Sequence, residues 1–404
     1  MKAWLALLVV PAAVCSTLHA QVVPAGTGVG TNFGYVLRYA QTAEFGESLG
    51  NWQTATPSGE VHFRNGHRKS PLSINYTGGY TWTLAGPTEY STGFFQRLSV
   101  LKALTGEKWK ATLLDDVSYR PASPITGFSG IPGTGEPIGT PSPPPSQSIL
   151  NLGTHALDNL AIAEVTRTLS PAYSVSVGAN YDLLYFPDSN GLNTYHFSVN
   201  SQLSREISRR SSAFGEYIFN RYSYPDVNLT TNANVLLAGY DHAFTRRFHV
   251  NLAAGPGWVT SSDSNVLPDS TMVNGSAGLD YRMPAGSAFV RYDRSTSGGS
   301  GYLLGQLSDI VSGGYTRIFA RTFTAEVTGG YRRIQPLNKS AIIHGEMGAV
   351  QGSWWFGGHL SAFASYTVVA QSSAGPLPSN AVTQPLQTIS FGIAYAMRAR
   401  RNFQ

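Results

Sequence analysis

The chain has 404 residues, and its 28 Lys+Arg and 23 Asp+Glu give a net charge of +5. Charged residues make up 13% of the sequence, about half the usual fraction in soluble domains. A nucleic-acid-binding protein clusters its basic side chains on one face, whereas these Arg residues are scattered, so no nucleic-acid partner is expected. Low charge combined with 43 Gly, 21 Tyr and 19 Phe is typical of a transmembrane β-barrel.

The first twenty residues have the organisation of a secretory signal peptide. Lys2 precedes an apolar stretch over residues 3–14, and the small residue Ala20 ends a plausible cleavage site. This stretch is too short for a membrane anchor. Cleavage near Ala20 also removes Cys15, the one cysteine. An exported chain without disulfides fits a bacterial envelope better than animal secretion.

Residues 21–68 do not follow the strand pattern of the rest of the chain. We predict that this segment is either a periplasmic extension or a plug inside the lumen of a barrel. The barrel itself is predicted over residues 69–397, and residues 398–404 are predicted to form a short tail.

Alternation of apolar and polar residues begins near residue 70 and recurs along the chain. A period of two indicates β-strands, because successive side chains point to opposite faces. The pattern predicts about sixteen strands (14–18), near 70–83, 90–102, 109–120, 155–168, 173–185, 192–204, 211–222, 229–243, 248–260, 271–282, 287–293, 306–318, 323–332, 341–354, 360–369 and 386–397.

The connections between these predicted strands alternate in length. Short turns, such as those at 170–171 and 245–247, alternate with longer polar segments, such as 186–191 and 261–270. Outer-membrane barrels have short periplasmic turns and long external loops. The fold class predicted from the sequence is therefore an all-β, closed antiparallel transmembrane barrel, since an open sheet edge in lipid would leave backbone groups unpaired.

The longest connection, 121–148, contains eight Pro and five Gly. Proline cannot donate a hydrogen bond to a strand ladder, so this segment is expected to be an external loop. It is either a passive flap or a constriction that folds into the lumen.

The strand at 173–185 shows most clearly how the faces are assigned. Its apolar series is expected to face lipid, and its polar series to face the lumen. The first series is Tyr173, Val175, Val177, Ala179, Tyr181, Leu183 and Tyr185, and the second is Ser174, Ser176, Gly178, Asn180 and Asp182. A test that follows from this assignment is that Val177→Arg destabilises the barrel and Ser176→Arg does not.

Aromatic residues cluster at the predicted strand ends, as expected for the two girdles of a transmembrane barrel. The girdle near the long loops is predicted to contain Tyr119, Tyr185, Tyr222, Trp258, Tyr292 and Tyr331. The girdle near the short turns is predicted to contain Tyr173, Phe248, Phe323, Trp354 and Trp355.

The polar faces of the strands predict which residues line the lumen. These are Lys110, Asp116, Asn180, Asp182, His196, Asn200, Gln202, Glu216, Asn220, Arg291, Thr324 and Glu326. Their charges are of both signs, which predicts a weakly selective polar pore without the one-sign ring of a strong ion filter. The His residues lack metal-ligand spacing, and no GxSxG or HExxH motif occurs. The sequence therefore predicts neither an enzyme nor a metal or other cofactor.

The chain resembles bacterial outer-membrane β-barrel proteins. The segment TISFGIAY is similar to the terminal strand that the barrel-assembly machinery recognises, although such chains usually end on Phe or Trp and here Phe403 is penultimate. The segments WKATLLDDVSYRP and GFSGIPGTGEP resemble a stretch of uncharacterised large outer-membrane barrels. The resemblance implies insertion by that machinery and contact with outer-membrane lipid.

The function expected from the sequence is a channel in the cell outer membrane for small polar solutes. Two alternatives remain open. One is an accessory barrel in envelope assembly or polysaccharide export, which would act by binding a partner. The other is a secreted, soluble β-sandwich or adhesin.

Overall fold

A computed structural model describes residues 31–46, 50–67, 69–86, 92–120, 155–188, 191–299, 302–319, 322–356, 359–375, 381 and 384–398. The strands are β1 Thr31–Gly46, β2 Gly50–Asn65, β3 Leu72–Ala85, β4 Gly93–Thr105, β5 Trp109–Arg120, β6 Ala156–Ser170, β7 Tyr173–Tyr185, β8 Thr194–Ser208, β9 Ser211–Tyr224, β10 Leu229–Ala243, β11 Phe248–Ser261, β12 Ser270–Met283, β13 Gly286–Ser297, β14 Gln306–Phe319, β15 Phe323–Pro336, β16 Ile342–Phe356, β17 Leu360–Ala374 and β18 Leu386–Arg398. Within these described ranges, no helix is both long and apolar enough to cross a membrane.

The strands form one closed antiparallel sheet. Each strand pairs with the next along the chain, and β1 pairs with both β2 and β18. At the seam between the first and last strands, the hydroxyls of Thr42 and Ser390 lie 2.9 Å apart. Closure leaves no unpaired strand edge, which is the condition for a sheet to span lipid. The predicted fold class is confirmed.

The barrel has eighteen strands, within the predicted range of 14–18 and two more than its central value of sixteen. The additional strands are β1 and β2, which pair with each other from Thr31↔Asn65 to Gly46↔Gly50. Residues 31–46 and 50–65 therefore belong to the barrel wall, and the prediction that they form an extension or a plug is wrong. Residues 1–30, with the predicted signal peptide, and 399–404 lie outside the described residues.

The connections have the predicted asymmetry. At one end of the barrel two-residue turns occur at 171–172, 209–210 and 284–285. At the other end the connections include 186–193, 262–269, 298–305 and 375–385. Residues 121–154, and with them the predicted loop 121–148, lie outside the described residues. Because the strand count is even, β1 begins and β18 ends at the short-turn end.

The outer face of the barrel is apolar at mid-height. Directly paired residues share a face, and the registers place Val177, Val165 and Ser201 on one outward row of β6–β8. Val177 and Val350 each have half of their surface exposed, as expected for side chains that face lipid. An apolar band between aromatic girdles is the surface of a transmembrane barrel of the type found in bacterial outer membranes.

Most of the predicted girdle residues lie on this outer face. Five of them near the long connections share faces with exposed apolar residues, namely Tyr119, Tyr185, Trp258, Tyr292 and Tyr331. Tyr222 is an exception, because it lies on the inward face of β9 and is buried. Trp355 likewise shares the inward face of β16 with Ser353. Both errors occur where aromatic residues occupy both faces of a strand, so alternation alone does not identify the outward one.

Gly392 lies at a tightly packed point of the seam. A Cβ atom at this position would overlap the carbonyl oxygen of Tyr39 and lie 2.7 Å from the ring of Phe363. Gly392→Val is therefore expected to destabilise closure by about 1–3 kcal/mol, the usual cost of overpacking. The folded fraction can be measured from the mobility of unheated samples in gels after refolding into detergent.

The matched control for this prediction is Gly215→Val. Gly215 has no atom within 4 Å of its Cβ position and lies on the outward face of β9, opposite Leu203. We expect this variant to fold like the parent chain. Equal folded fractions for the two variants would contradict the proposed packing at the seam.

Candidate functional site: the barrel lumen

The inward face of the barrel is the candidate functional site. All twelve residues that the sequence predicted to line the lumen lie on the face opposite the exposed apolar residues. They are Lys110 and Asp116 on β5, Asn180 and Asp182 on β7, His196, Asn200 and Gln202 on β8, Glu216 and Asn220 on β9, Arg291 on β13, and Thr324 and Glu326 on β15. That they contact a solute remains a prediction.

The structure brings several of these residues together on β7–β9. Asp182 pairs with His196 across the two strands, and its carboxylate lies 3.7 Å from His196 Nδ1. His196 Nε2 is 3.0 Å from Asn220 Oδ1, and the imidazole stacks on the ring of Tyr222 with 4.4 Å between centroids. These residues form a polar shelf on one side of the lumen.

A second polar group lies on the same strands, closer to the short turns. Asn200 Nδ2 donates to Glu216 Oε1 at 3.2 Å, and Gln202 Nε2 donates to Ser204 Oγ at 3.1 Å. Lys110, Arg291, Thr324 and Glu326 are on β5, β13 and β15, away from both groups. The predicted residues therefore form a local concentration on β7–β9 rather than a ring.

Three arginines on other parts of the inward face have carboxylate partners. Arg97 on β4 contacts Asp116 at 3.1 Å, and Arg291 contacts Asp280 at 3.5 Å. On β1, Arg38 contacts Glu60 of β2 at 3.0 Å. These pairs neutralise much of the charge on their own sections of the wall.

The described residues of the connection 298–305 fold into the lumen and form an apolar layer near the long-loop end. Tyr302 packs against Ala156, Leu184 and Phe186, with its ring 5.7 Å from that of Phe186. Tyr302 also packs against Ile334 and Ile343. The β6–β7 pair and the β15–β16 pair are nine strands apart in the eighteen-stranded ring, which places them on opposite walls. We call the described residues of this connection, Gly298, Gly299 and 302–305, the lid.

Two tyrosines and two glycines hold the lid in this position. The hydroxyl of Tyr224 donates to the carbonyl of Gly298 at 2.8 Å, and that of Tyr222 donates to the carbonyl of Thr296 at 3.2 Å. Gly299 and Gly305 have φ values of +80° and +84°, which only glycine adopts without strain. The chain can therefore turn inward and back within a few residues.

Other loop residues complete the apolar layer. Leu267 and Leu337 are buried in one cluster with Tyr222, Tyr224 and Leu229, and Leu304 packs against that cluster. These residues were not predicted from the sequence, because the long connections were expected to be external and polar. The apolar run Tyr302-Leu303-Leu304 inside a glycine-rich connection was the available signal, since consecutive apolar residues are unfavourable in a solvated loop.

The connection 186–193, which lies near the lid, is fixed by hydrogen bonds to two carboxylates, those of Asp188 and Asp226. Asp188 accepts hydrogen bonds from the backbone and imidazole of His155, and Asp226 accepts one from the backbone of Asn193. Partial burial raises the pKa of Asp188, but the bonds from His155 outweigh it, so the pKa lies below its ordinary value. Asp188 therefore stays ionised at neutral pH and ties the connection 186–193 to the start of β6.

Across the described part of the chain, no group of three or more His, Cys, Asp or Glu residues is placed to hold a metal ion.

Comparisons with solved structures return matches of low similarity. OccAB4 of Acinetobacter baumannii is 10% identical, with a TM-score of 0.49 and coverage of 92% of this chain and 99% of that chain. OccK2 (OpdF) of Pseudomonas aeruginosa is 9% identical, with a TM-score of 0.48 and coverage of 92% and 100%. The outer membrane protein OprD of the same organism is 10% identical, with a TM-score of 0.46 and coverage of 92% and 96%. No family model and no curated protein matches the chain.

Proposed function

We propose that this protein is an outer-membrane channel for small polar solutes, with weak selectivity, and that it is not an enzyme. The observation that carries the proposal is the polar inward face of a closed eighteen-stranded sheet. Barrels of sixteen to eighteen strands are wide enough to enclose an aqueous channel. Solutes would pass along hydroxyl, amide and charged groups such as Ser198, Asn200 and Gln202.

Burial of the inward side chains supports a gated rather than a permanently open channel. The lid packs on both walls, so passage requires that the lid move or that a solute pass beside it. Besides its apolar contacts, the lid accepts a hydrogen bond from the Tyr224 hydroxyl at Gly298 and one from the Leu337 backbone N–H at Gly305. It is therefore weakly held compared with the sheet, because a single neutral hydrogen bond contributes only about 1 kcal/mol.

The test is solute uptake by liposomes that contain the refolded barrel. We expect swelling in isotonic solutions of small sugars and amino acids, and a slower rate for larger solutes of the same class. Protein-free liposomes and liposomes with heat-denatured protein are the controls. A barrel that is folded by gel mobility but gives no swelling would contradict the channel, and would favour the accessory role in envelope assembly or polysaccharide export.

We further propose that the chain reaches its membrane by the route expected from its sequence. That route is cleavage near Ala20 followed by insertion through the barrel-assembly machinery. The terminal strand β18 supports it, because its outward face carries a series of apolar residues, Ile389, Phe391, Ile393, Tyr395 and Met397, all exposed.

A further inference from the structure

Carboxylates are concentrated on one arc of the lumen. The inward faces of the five consecutive strands β6–β10 carry six acidic side chains and no Lys or Arg, as the registers assign those faces. We call these residues the acidic arc: Asp158, Glu164, Asp182, Glu206, Glu216 and Asp241. The inward-facing arginines are on other strands: Arg38, Arg97 and Arg291 each lie beside a carboxylate, and Arg64, Arg282 and Arg332 also face inward.

Asp182 is the member of the arc whose environment points to a ligand. Only 1% of its side chain is exposed, and neither carboxylate oxygen has a hydrogen-bond partner among the described residues. The nearest ionisable group is the imidazole of His196, whose Nδ1 lies at 3.7 Å, which is longer than a hydrogen bond. Burying a carboxylate without hydrogen-bond donors costs folding free energy. A cationic N–H group on a solute would supply the hydrogen bonds and the positive charge that the protein does not.

The neighbours of Asp182 suit the same chemistry. Asn220 Oδ1 and the ring of Tyr222 lie on the same shelf. His196 uses one lone pair of that oxygen and covers one face of that ring, so the second lone pair and the opposite ring face are what these residues offer to a cation. Amide oxygens accept hydrogen bonds from ammonium and guanidinium groups, and aromatic faces attract such cations. Glu216 extends the acceptor surface toward the short turns through its bond with Asn200.

We propose that the acidic arc makes the channel prefer cations, and that its binding position at Asp182 takes the ammonium or guanidinium group of an organic solute. This inference rests on the proposed channel function and refines it. Asp and Glu side chains around a pore are the usual source of cation preference. The preference is modest, because the arginine pairs elsewhere on the wall prevent a complete one-sign ring.

The experiment is the reversal potential of single channels in planar bilayers under a KCl gradient. The parent barrel should pass K⁺ several-fold better than Cl⁻. The isosteric variant E164Q/D182N/E216Q should lose most of this preference while it still folds like the parent by gel mobility. Added argininamide should lower the conductance of the parent barrel and have a much smaller effect on the D182N single variant.

The matched control is D115N/D263N/E346Q, which removes the same number of charges from outside the lumen. Asp115 and Glu346 are on outward faces, and Asp263 is in the connection 262–269. This control should keep the K⁺ preference of the parent. Equal permeability to K⁺ and Cl⁻ in the parent, or an unchanged preference in the arc variant, would overturn the inference. A parent barrel without any conductance would instead refute the channel itself.

Discussion

Val350→Arg is expected to destabilise the folded barrel by about 2–4 kcal/mol, the measured range for Arg or Lys at the lipid-facing midplane of such barrels. Val350 lies at the centre of the outward face of β16, between Trp354 and the row of Tyr331 and Glu346. A guanidinium there must either enter hydrocarbon or distort the wall to reach water. The measurement is reversible urea unfolding of the barrel in phospholipid vesicles.

Gln351→Arg is the paired control. Gln351 is the next residue along β16, faces inward and lies directly opposite Glu326 on β15, so the new cation gains a carboxylate neighbour. We expect the midpoint of urea unfolding to stay near that of the parent. Gln351 is a better control than Ser176, whose hydroxyl lies 2.8 Å from that of Thr166 in a packed part of the wall. A larger loss for Gln351→Arg than for Val350→Arg would mean that the two faces are reversed.

Tyr302→Ala is expected to increase the rate of liposome swelling several-fold. Tyr302 is the lid residue that packs on both walls, through Phe186 on one side and Ile334 with Ile343 on the other. Removing its ring opens the apolar layer at its centre and weakens both contacts at once. Larger single-channel conductance, or more frequent openings, should accompany the faster swelling.

Tyr195→Ala controls for the loss of an aromatic ring. Tyr195 lies at the same end of the barrel but on its outward face, with 37% of its surface exposed. We expect an unchanged swelling rate for this variant. If Tyr302→Ala folds normally and swells at the parent rate, the lid does not obstruct the path of the solute.

The bounds of β7 and β10 were predicted without error. Both strands begin and end at connections that are visible in the sequence. On β7 the outward series is apolar throughout, because that face lies against lipid, so the period of two is maintained along the strand. On β10 the outward series begins with Thr230, Asn232 and Asn234, so its bounds followed from the connections rather than from a continuous apolar face.

β2 could not be predicted in the same way. Its outward positions include Gln53, Ala55, Pro57 and Gly59, which give no apolar face, and Pro57 cannot donate to a neighbouring strand. The ladder to β3 accommodates this residue, since pairing is interrupted between Ala55 and Ser58. Pro256 occupies a similar interruption, between Ala254 and Gly257 in the ladder with β10. β2 is a strand because β1 and β3 pair with it. The local sequence contains no information about that pairing.

The sequence pattern also could not predict that the lid turns into the lumen. A run of glycines predicts a flexible connection, but its direction depends on contacts between Tyr302 and residues that are distant along the chain, such as Leu184 and Ile343. The acidic arc was predicted only in part. Asp182 and Glu216 were predicted to line the lumen, whereas Asp158, Glu164 and Asp241 were not, although their positions in the alternation gave the same signal.

The seam between β1 and β18 has a consequence for how the barrel forms. Thr42 and Ser390, whose hydroxyls meet there, are 348 positions apart in the chain. Contacts of such long sequence separation form slowly, because the entropy of closing the intervening loop must be lost first. Until β18 has been synthesised, the edges of β1 and β17 are both unpaired and open to pairing with other chains. We therefore expect the nascent chain to depend on a holding chaperone for most of its path to the membrane, and removal of β18 to yield aggregates rather than a smaller barrel.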